Sequence, residues 1–237
     1  MKNIDRMMAD IKLEVDYTSG MIGRTSLSER VMQAMRKVPR DVFVPEHMKR
    51  YAFENGPLSI GYKQTISQPY IVALMTDLLE PEAGDVILEI GTGSGYQAAV
   101  LSELVKKVYS LEIIPELTQT AEQCLRSLHY DNIETRTGNG YQGWPEHAPY
   151  DGIIVTAAAT HIPQALVDQL KPGGKLVIPV GLPYSHQELM LVEKDTQGES
   201  STSSILGVAF VPMVDERHGV DEGHGANKEK AEAKDKG

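Results

Sequence analysis

The chain of 237 residues holds one cysteine, Cys124. No intrachain disulfide can form, so a hydrophobic core must hold the fold, and a reducing cytoplasm is the expected location. No stretch approaches the roughly 18 consecutive apolar residues of a membrane span, so no membrane partner is expected. The opening Met1-Lys2-Asn3-Ile4-Asp5-Arg6 carries charge where a signal peptide needs an apolar run. Positive charge is also scarce. Against 33 Asp and Glu stand 23 Lys and Arg, a net charge of −10, which argues against a grip on nucleic-acid phosphates. What remains is ordinary globular usage, 41% hydrophobic and 24% charged, enough for a sizeable core in one domain with an appendage.

Composition shifts at both ends. Residues 215–237 have Val220 as their only large apolar residue, with seven acids and five bases. Such a segment cannot offset its ordering entropy by burial, and a disordered charged tail is expected. His218 and His224 lie there; without a cysteine or a dense histidine cluster they read as solvated, and no metal site is expected. Residues 1–64 read as an irregular, partly helical extension packed on the core. Val31, Met32, Met35 and Val38 recur at helical spacing, and Pro39 ends that pattern.

Residues 65–214 alternate between strand and helix patterns. Helices are expected at 70–79, 96–105, 115–128 and 162–170, with Pro115 suited to a first turn. Strands are expected at 85–90, 107–112, 132–136, 151–155 and 175–180. A closing pair at 188–193 and 205–211 reads as an antiparallel hairpin. This is the pattern of an α/β fold, a doubly wound, mostly parallel sheet. Ligands in such sheets sit beyond the carboxyl ends of the strands, at the switch point.

The first motif with chemistry is Leu88-Glu89-Ile90-Gly91-Thr92-Gly93-Ser94-Gly95, a strand feeding a glycine turn and then a helix. Glycines let the backbone turn sharply and approach a ligand closely. A dinucleotide fingerprint needs a third small residue where this chain has Tyr96, so diphosphate binding fits poorly. The next strand ends in Glu112, 21 residues after Gly91, where an acid can accept from both hydroxyls of a ribose. With no basic phosphate reader nearby, this suits an adenosine without phosphates, such as S-adenosylmethionine. The strand after that ends in Thr137-Gly138-Asn139-Gly140, and Asn139 either meets an adenine edge or simply caps a turn.

These features alone say only class I methyltransferase. The chain further resembles the protein-L-isoaspartate O-methyltransferase family over roughly residues 28–213. The resemblance rests on Val38-Pro39-Arg40-Asp41-Val42-Phe43-Val44-Pro45-Glu46, Gly56-Pro57-Leu58-Ser59-Ile60-Gly61 and above all Gln64-Thr65-Ile66-Ser67-Gln68-Pro69-Tyr70. Tyr141-Gln142-Gly143-Trp144-Pro145, Val155-Thr156-Ala157-Ala158-Ala159, Leu176-Val177-Ile178-Pro179-Val180-Gly181 and Phe210-Val211-Pro212-Met213 continue it. It implies S-adenosylmethionine as cofactor and methyl esterification of the free α-carboxylate of L-isoaspartyl residues, the first step in repairing damaged proteins and peptides. It also implies Ser67 as the active-site residue, cofactor contacts at Ile90, Gly91, Gly93, Glu112 and Asn139, and a substrate side at Thr65, Ile66 and Gln68. The chain departs from the family pattern in Asn139, usually Asp, in Lys63, usually Gly, and in His161, where Pro is common. Lys63 either attracts an anionic substrate or is a plain surface residue.

The chemistry asks little of the side chains. A carboxylate nucleophile is already ionised at pH 7, with a pKa near about 4, so no general base is required. Alignment and a dry approach are what the site must supply. The Ser67 hydroxyl can donate to one carboxylate oxygen and aim the other; it can equally cap a helix beginning near Pro69. Rival readings each lack a feature. An amino-directed base methylase shows an Asn/Asp-Pro-Pro-aromatic run where this chain has Thr156-Ala157-Ala158-Ala159, and a cytosine methylase needs a cysteine after a proline, whereas Cys124 follows Gln123. A metal-dependent enzyme needs clustered acids. A binding module without turnover remains the alternative from another class.

Overall fold

The computed structural model describes residues 3–182 and 185–214. The tail expectation for 215–237, with His218 and His224, lies outside them. The chain opens with α1 (Asn3–Ile22). Met7, Met8, Ile11, Val15, Thr18 and Ile22 are its buried residues, a helical stripe running its whole length. Within the extension expected to be partly helical, α1 is a regular helix of 20 residues that the sequence reading did not place. After α2 (Glu29–Lys37) and two 3-10 turns come β1 (Leu58–Gly61) and β2 (Gln64–Ile66), a small antiparallel hairpin that the sequence pattern did not announce. Its turn residues Tyr62 and Lys63 take positive φ of 52° and 59°, a left-handed conformation that glycine adopts more cheaply.

α3 (Pro69–Leu78) is buried on nearly every side. Then follow β3 (Val86–Ile90), α4 (Tyr96–Ser102), β4 (Lys107–Glu112), α5 (Pro115–Ser127), β5 (Ile133–Thr137), β6 (Tyr150–Val155), α6 (Gln164–Asp168), β7 (Leu170–Gly181), β8 (Gln187–Lys194) and β9 (Ser200–Val208). The last seven strands form one sheet in the order β5-β4-β3-β6-β7-β8-β9. Pairings from β5 to β7 are parallel, and β7–β8–β9 are antiparallel. β3 is apolar at almost every position because both faces of a parallel sheet are covered.

Two boundaries differ from the pattern. The helix expected at 162–170 is only Gln164–Asp168, because Leu170 already pairs with Tyr150 at the start of β7. The strand expected at 205–211 lies at Ser200–Val208 instead. Its serine run is exposed, as suits an edge strand with no neighbour to pack against. Residues beyond Val208 leave the sheet and cross to the carboxyl ends of its central strands.

β3 is the switch point: the chain goes from it to β4 on one side and, later, to β6 on the other. The crevice beyond its carboxyl end is where the fold offers a ligand site.

Candidate active site

A cleft opens there. Its walls come from three directions. Ile90, Gly91 and Gly93 follow β3, Glu112 ends β4, and Gly138 and Gly140 follow β5. Thr156 and Ala157 follow β6, Gln64 and Thr65 come from the hairpin, and residues 211–214 close the far side. In a second groove, between α2 and α3, Arg24 bonds Asp77 and Glu80, and Arg30 donates to the carbonyls of Pro81 and Leu104.

The glycine turn is held by the sheet itself. Gly91 and Thr92 N–H both donate to the Leu111 carbonyl of β4, at 2.7 and 3.2 Å. Gly91 has φ 96°, and a side chain there would collide with the Thr156 hydroxyl. That hydroxyl donates to the Ile90 and Gly91 carbonyls at 3.1 and 2.6 Å, tying β6 to the turn. At Gly140 a Cβ would run into Ile90, so the turn after β5 approaches the end of β3 this closely only without one.

Glu112 is 5% exposed, yet it borders the cleft. Its Oε2 accepts from Gly93 N–H at 2.8 Å and its Oε1 from Ile114 N–H at 3.0 Å. Burial pushes its pKa up, and the backbone donors of Gly93, Ile114 and Ile113 oppose that shift. Each oxygen keeps acceptor capacity for a ligand hydroxyl. Glu112 is the one charged residue among the described residues that line the cleft. One acid with no cation is the donor set for a ribose without phosphates, and it fits S-adenosylmethionine better than a dinucleotide.

Beneath the turn lies Glu89, fully buried, with its pKa raised to about 8, chiefly by desolvation. Ser110 Oγ donates to its Oε2, and Thr92 Oγ1 shares a hydrogen bond with Ser110 at 2.5 Å. Its Oε1 has no partner among the described residues. Burial therefore favours the neutral form of the Glu89 carboxyl.

The expected site residues fall into two groups. Ile90, Gly91, Gly93, Glu112 and Thr65 share the cleft lining. Asn139 does not; it stands between two lining glycines, and its Oδ1 accepts from Tyr141 N–H at 3.0 Å, capping a 3-10 turn. Ser67, Ile66 and Gln68 continue the chain from Thr65 but lie outside the lining. Ile66 is buried. Gln68 occupies the N-cap position of α3, so Ser67 is not the cap, and the Gln68 amide donates to the Asn55 carbonyl at 3.2 Å. Ser67 is half-buried, its carbonyl accepting from Arg40 at 2.8 Å.

Sequence reasoning missed the role of Thr156, whose signal lay only in its place at the end of a buried strand. It placed residues 211–214 no more closely than as neighbours. They are clipped over the cleft by Ala158 N–H to the Val211 carbonyl and Met213 N–H to the Ala158 carbonyl, both 2.8 Å. The buried Gln187 amide grips the backbone of Phe210 from both sides, at 2.6 and 3.1 Å.

Comparison with known proteins now decides the family. The model of the protein-L-isoaspartate(D-aspartate) O-methyltransferase family matches residues 20–218. The chain belongs to the protein-L-isoaspartate(D-aspartate) O-methyltransferase family. A curated relative from Syntrophobacter fumaroxidans, protein-L-isoaspartate O-methyltransferase 2, is 59% identical over 208 residues, 88% of this chain and 84% of the relative. One of the same name from Nitrosococcus oceani is 56% identical over 90% of this chain and 97% of its own length. A solved protein-L-isoaspartate O-methyltransferase superposes with a TM-score of 0.77 at 26% identity, over 90% of this chain and 66% of that longer one. A further structure, from Plasmodium falciparum, shares the fold with a TM-score of 0.70 at 24% identity, over 86% of this chain and 97% of its own.

Proposed function

We propose that this cleft esterifies the free α-carboxylate of L-isoaspartyl residues in damaged proteins and peptides, initiating their repair. The methyl donor is S-adenosylmethionine, which when bound supplies an electrophilic sulfonium methyl group. The observation that carries the reading is the meeting, in one cleft, of the Gly91 turn, Glu112 as its lone charge, and the Gln64–Thr65 end of the hairpin. Glu112 would accept from the ribose hydroxyls, Ile90, Gly91 and Gly93 would form the floor beneath the cofactor, and Asn139 would contribute on the adenine side. Thr65, Ile66 and Gln68 form the substrate side. The Ser67 hydroxyl orients the acceptor carboxylate, donating to one oxygen so that the other faces the methyl group. The residues of the cleft need move no proton, because the nucleophile arrives ionised. Residues 65–214 form the transferase core and residues 1–64 an extension that supports its acceptor side. A cytoplasmic setting and the absence of a nucleic-acid partner complete the reading, supported by the single cysteine and the net charge of −10.

Radiolabelled S-adenosylmethionine, offered with an L-isoaspartyl peptide and its L-aspartyl twin, tests it. Base-labile label on the isoaspartyl peptide alone is the expected result. Label on neither peptide, with cofactor still bound, would sink the reading in favour of a binding module.

A further inference from the structure

Arg40 is the largest fully buried side chain among the described residues, with 0% exposure. It sits in the 3-10 turn Arg40–Phe43, remote in sequence from everything it touches. Its Nε donates to the Ala52 carbonyl at 2.8 Å, and its Nη2 donates to the Ser67 carbonyl at 2.8 Å. Its Cζ lies 4.8 Å from the centroid of the Tyr96 ring. Tyr96 opens α4, directly after Gly95 of the glycine turn. No described carboxylate pairs with the guanidinium, and Nη1 has no hydrogen-bond partner among the described residues. Such a group is a poor stabiliser. A buried cation loses hydration worth several kcal/mol, and an apolar side chain of similar volume would fill the space without that loss.

What a guanidinium supplies that an apolar chain cannot is a rigid planar fork. It joins two carbonyls from different segments, and its Cζ lies over the ring of the first residue of α4. The residues around Ser67 have other anchors: Gln68 reaches the Asn55 carbonyl, and Tyr70 N–H donates to Asn55 Oδ1 at 3.1 Å. Among the described residues, Arg40 is the side chain that holds the Ser67 peptide itself.

We propose that Arg40 is a positioning residue for methyl transfer: its fork fixes the Ser67 backbone against Tyr96, and so sets the acceptor loop in register with the glycine turn. This rests on the reading of Ser67 as the residue that orients the acceptor carboxylate. A displacement of about 1 Å in such an alignment costs on the order of 100-fold in rate, while leaving ground-state binding nearly intact.

Arg40→Lys tests it, because an ammonium on a flexible stem lacks the planar fork that fixes the two carbonyls relative to each other. Three quantities are read: kcat and KM for an isoaspartyl peptide, the Kd of S-adenosylhomocysteine, and amide hydrogen exchange across residues 64–72. The expected result is kcat down by about 30- to 100-fold, Kd within about threefold, and exchange at 64–72 faster by about tenfold with the central strands unchanged. In a Ser67→Ala background Arg40→Lys should add less than about threefold, since both changes remove one alignment. A loss that multiplies in full on Ser67→Ala, or unaltered exchange at 64–72, overturns the proposal and leaves Arg40 a packing residue. Should Arg40→Lys fail to fold, Tyr96→Leu removes the ring side of the bridge and must lower kcat without weakening S-adenosylhomocysteine; unchanged kcat there also overturns it. If the wild-type protein esterifies no isoaspartyl peptide, the functional reading fails by itself, and the exchange data still decide whether Arg40 holds the loop.

Discussion

One wall of the cleft, Gly91, Glu112 and Gly140, is held by the backbone of the sheet; a second, Gln64 and Thr65, runs on into the Ser67 loop, which is held by side chains reaching in from outside the sheet. On the first wall Gly91 and Thr92 hang on the Leu111 carbonyl, and Glu112 is fixed by two backbone N–H groups. On the second, Arg40 and Asn55 grip a loop that has only a short hairpin behind it. The difference teaches where each wall is vulnerable. Backbone-built geometry fails when a side chain is added, and side-chain-built geometry fails when one is removed.

Gly91→Ala is the sharpest attempt to break the first wall. Its φ of 96° and the collision with Thr156 act together. Calorimetry with S-adenosylhomocysteine should show affinity lost by about 100-fold or more, with about 2–4 kcal/mol of stability. Ser67→Ala breaks the second wall and should do the reverse: kcat lower by about 50-fold, the loss of one hydrogen bond to a charged group, with Kd for S-adenosylhomocysteine within about twofold. If both variants damage the same quantity, the two-wall contrast is wrong.

Glu112→Gln sharpens the comparison. Both carboxylate oxygens accept from N–H donors, and an amide can accept on only one side. Cofactor affinity should fall about 10-fold, with little change in kcat at saturating cofactor.

Glu89 gives the first wall a pH signature. Its carboxyl has an ordinary pKa of 4.5 and a folded value of about 8. Between those values the native state binds the extra proton, so stability falls as pH rises through the window; below it both states are protonated and the contribution is constant. Thermal unfolding of Glu89→Gln should therefore show a flatter decline between pH 5 and pH 8 than the wild type, by an amount on the order of a few kcal/mol at the alkaline end. Equal slopes would remove Glu89 from the account. The smallest effect is expected at the hairpin tip. Lys63→Gly relieves a φ of 59° and should raise stability by less than about 1 kcal/mol, because glycine's freedom in the unfolded chain offsets part of the relief.

How far the sequence could be read follows the same division. The strand, glycine turn and Glu112 lie in contiguous, patterned segments, and the cleft contains them as spaced. The stripe of α1 was also present in the sequence, at Met7, Ile11, Val15 and Ile22, and Gly23 at positive φ closes its C-terminal end. The beginning of β9, Ser200 to Ser204, escaped because an exposed edge strand can be serine-rich and lose the alternation that betrays a strand. Asn139 reads alike as a ligand contact or a turn cap; the structure shows the cap bond to Tyr141.

Local order belonged to the sequence by itself: the alternation of strands and helices, the glycines that φ demands, the acid at a strand end. These depend on residues within a few positions of one another, where sterics and periodicity act directly. Only the tertiary structure decided that Arg40 reaches Ser67, that Thr156 locks Gly91, and that residues 211–214 close the cleft. Those contacts join segments 27, 65 and more than 50 residues apart, and a hydrogen bond over such a distance leaves no periodic trace until burial brings its two ends together.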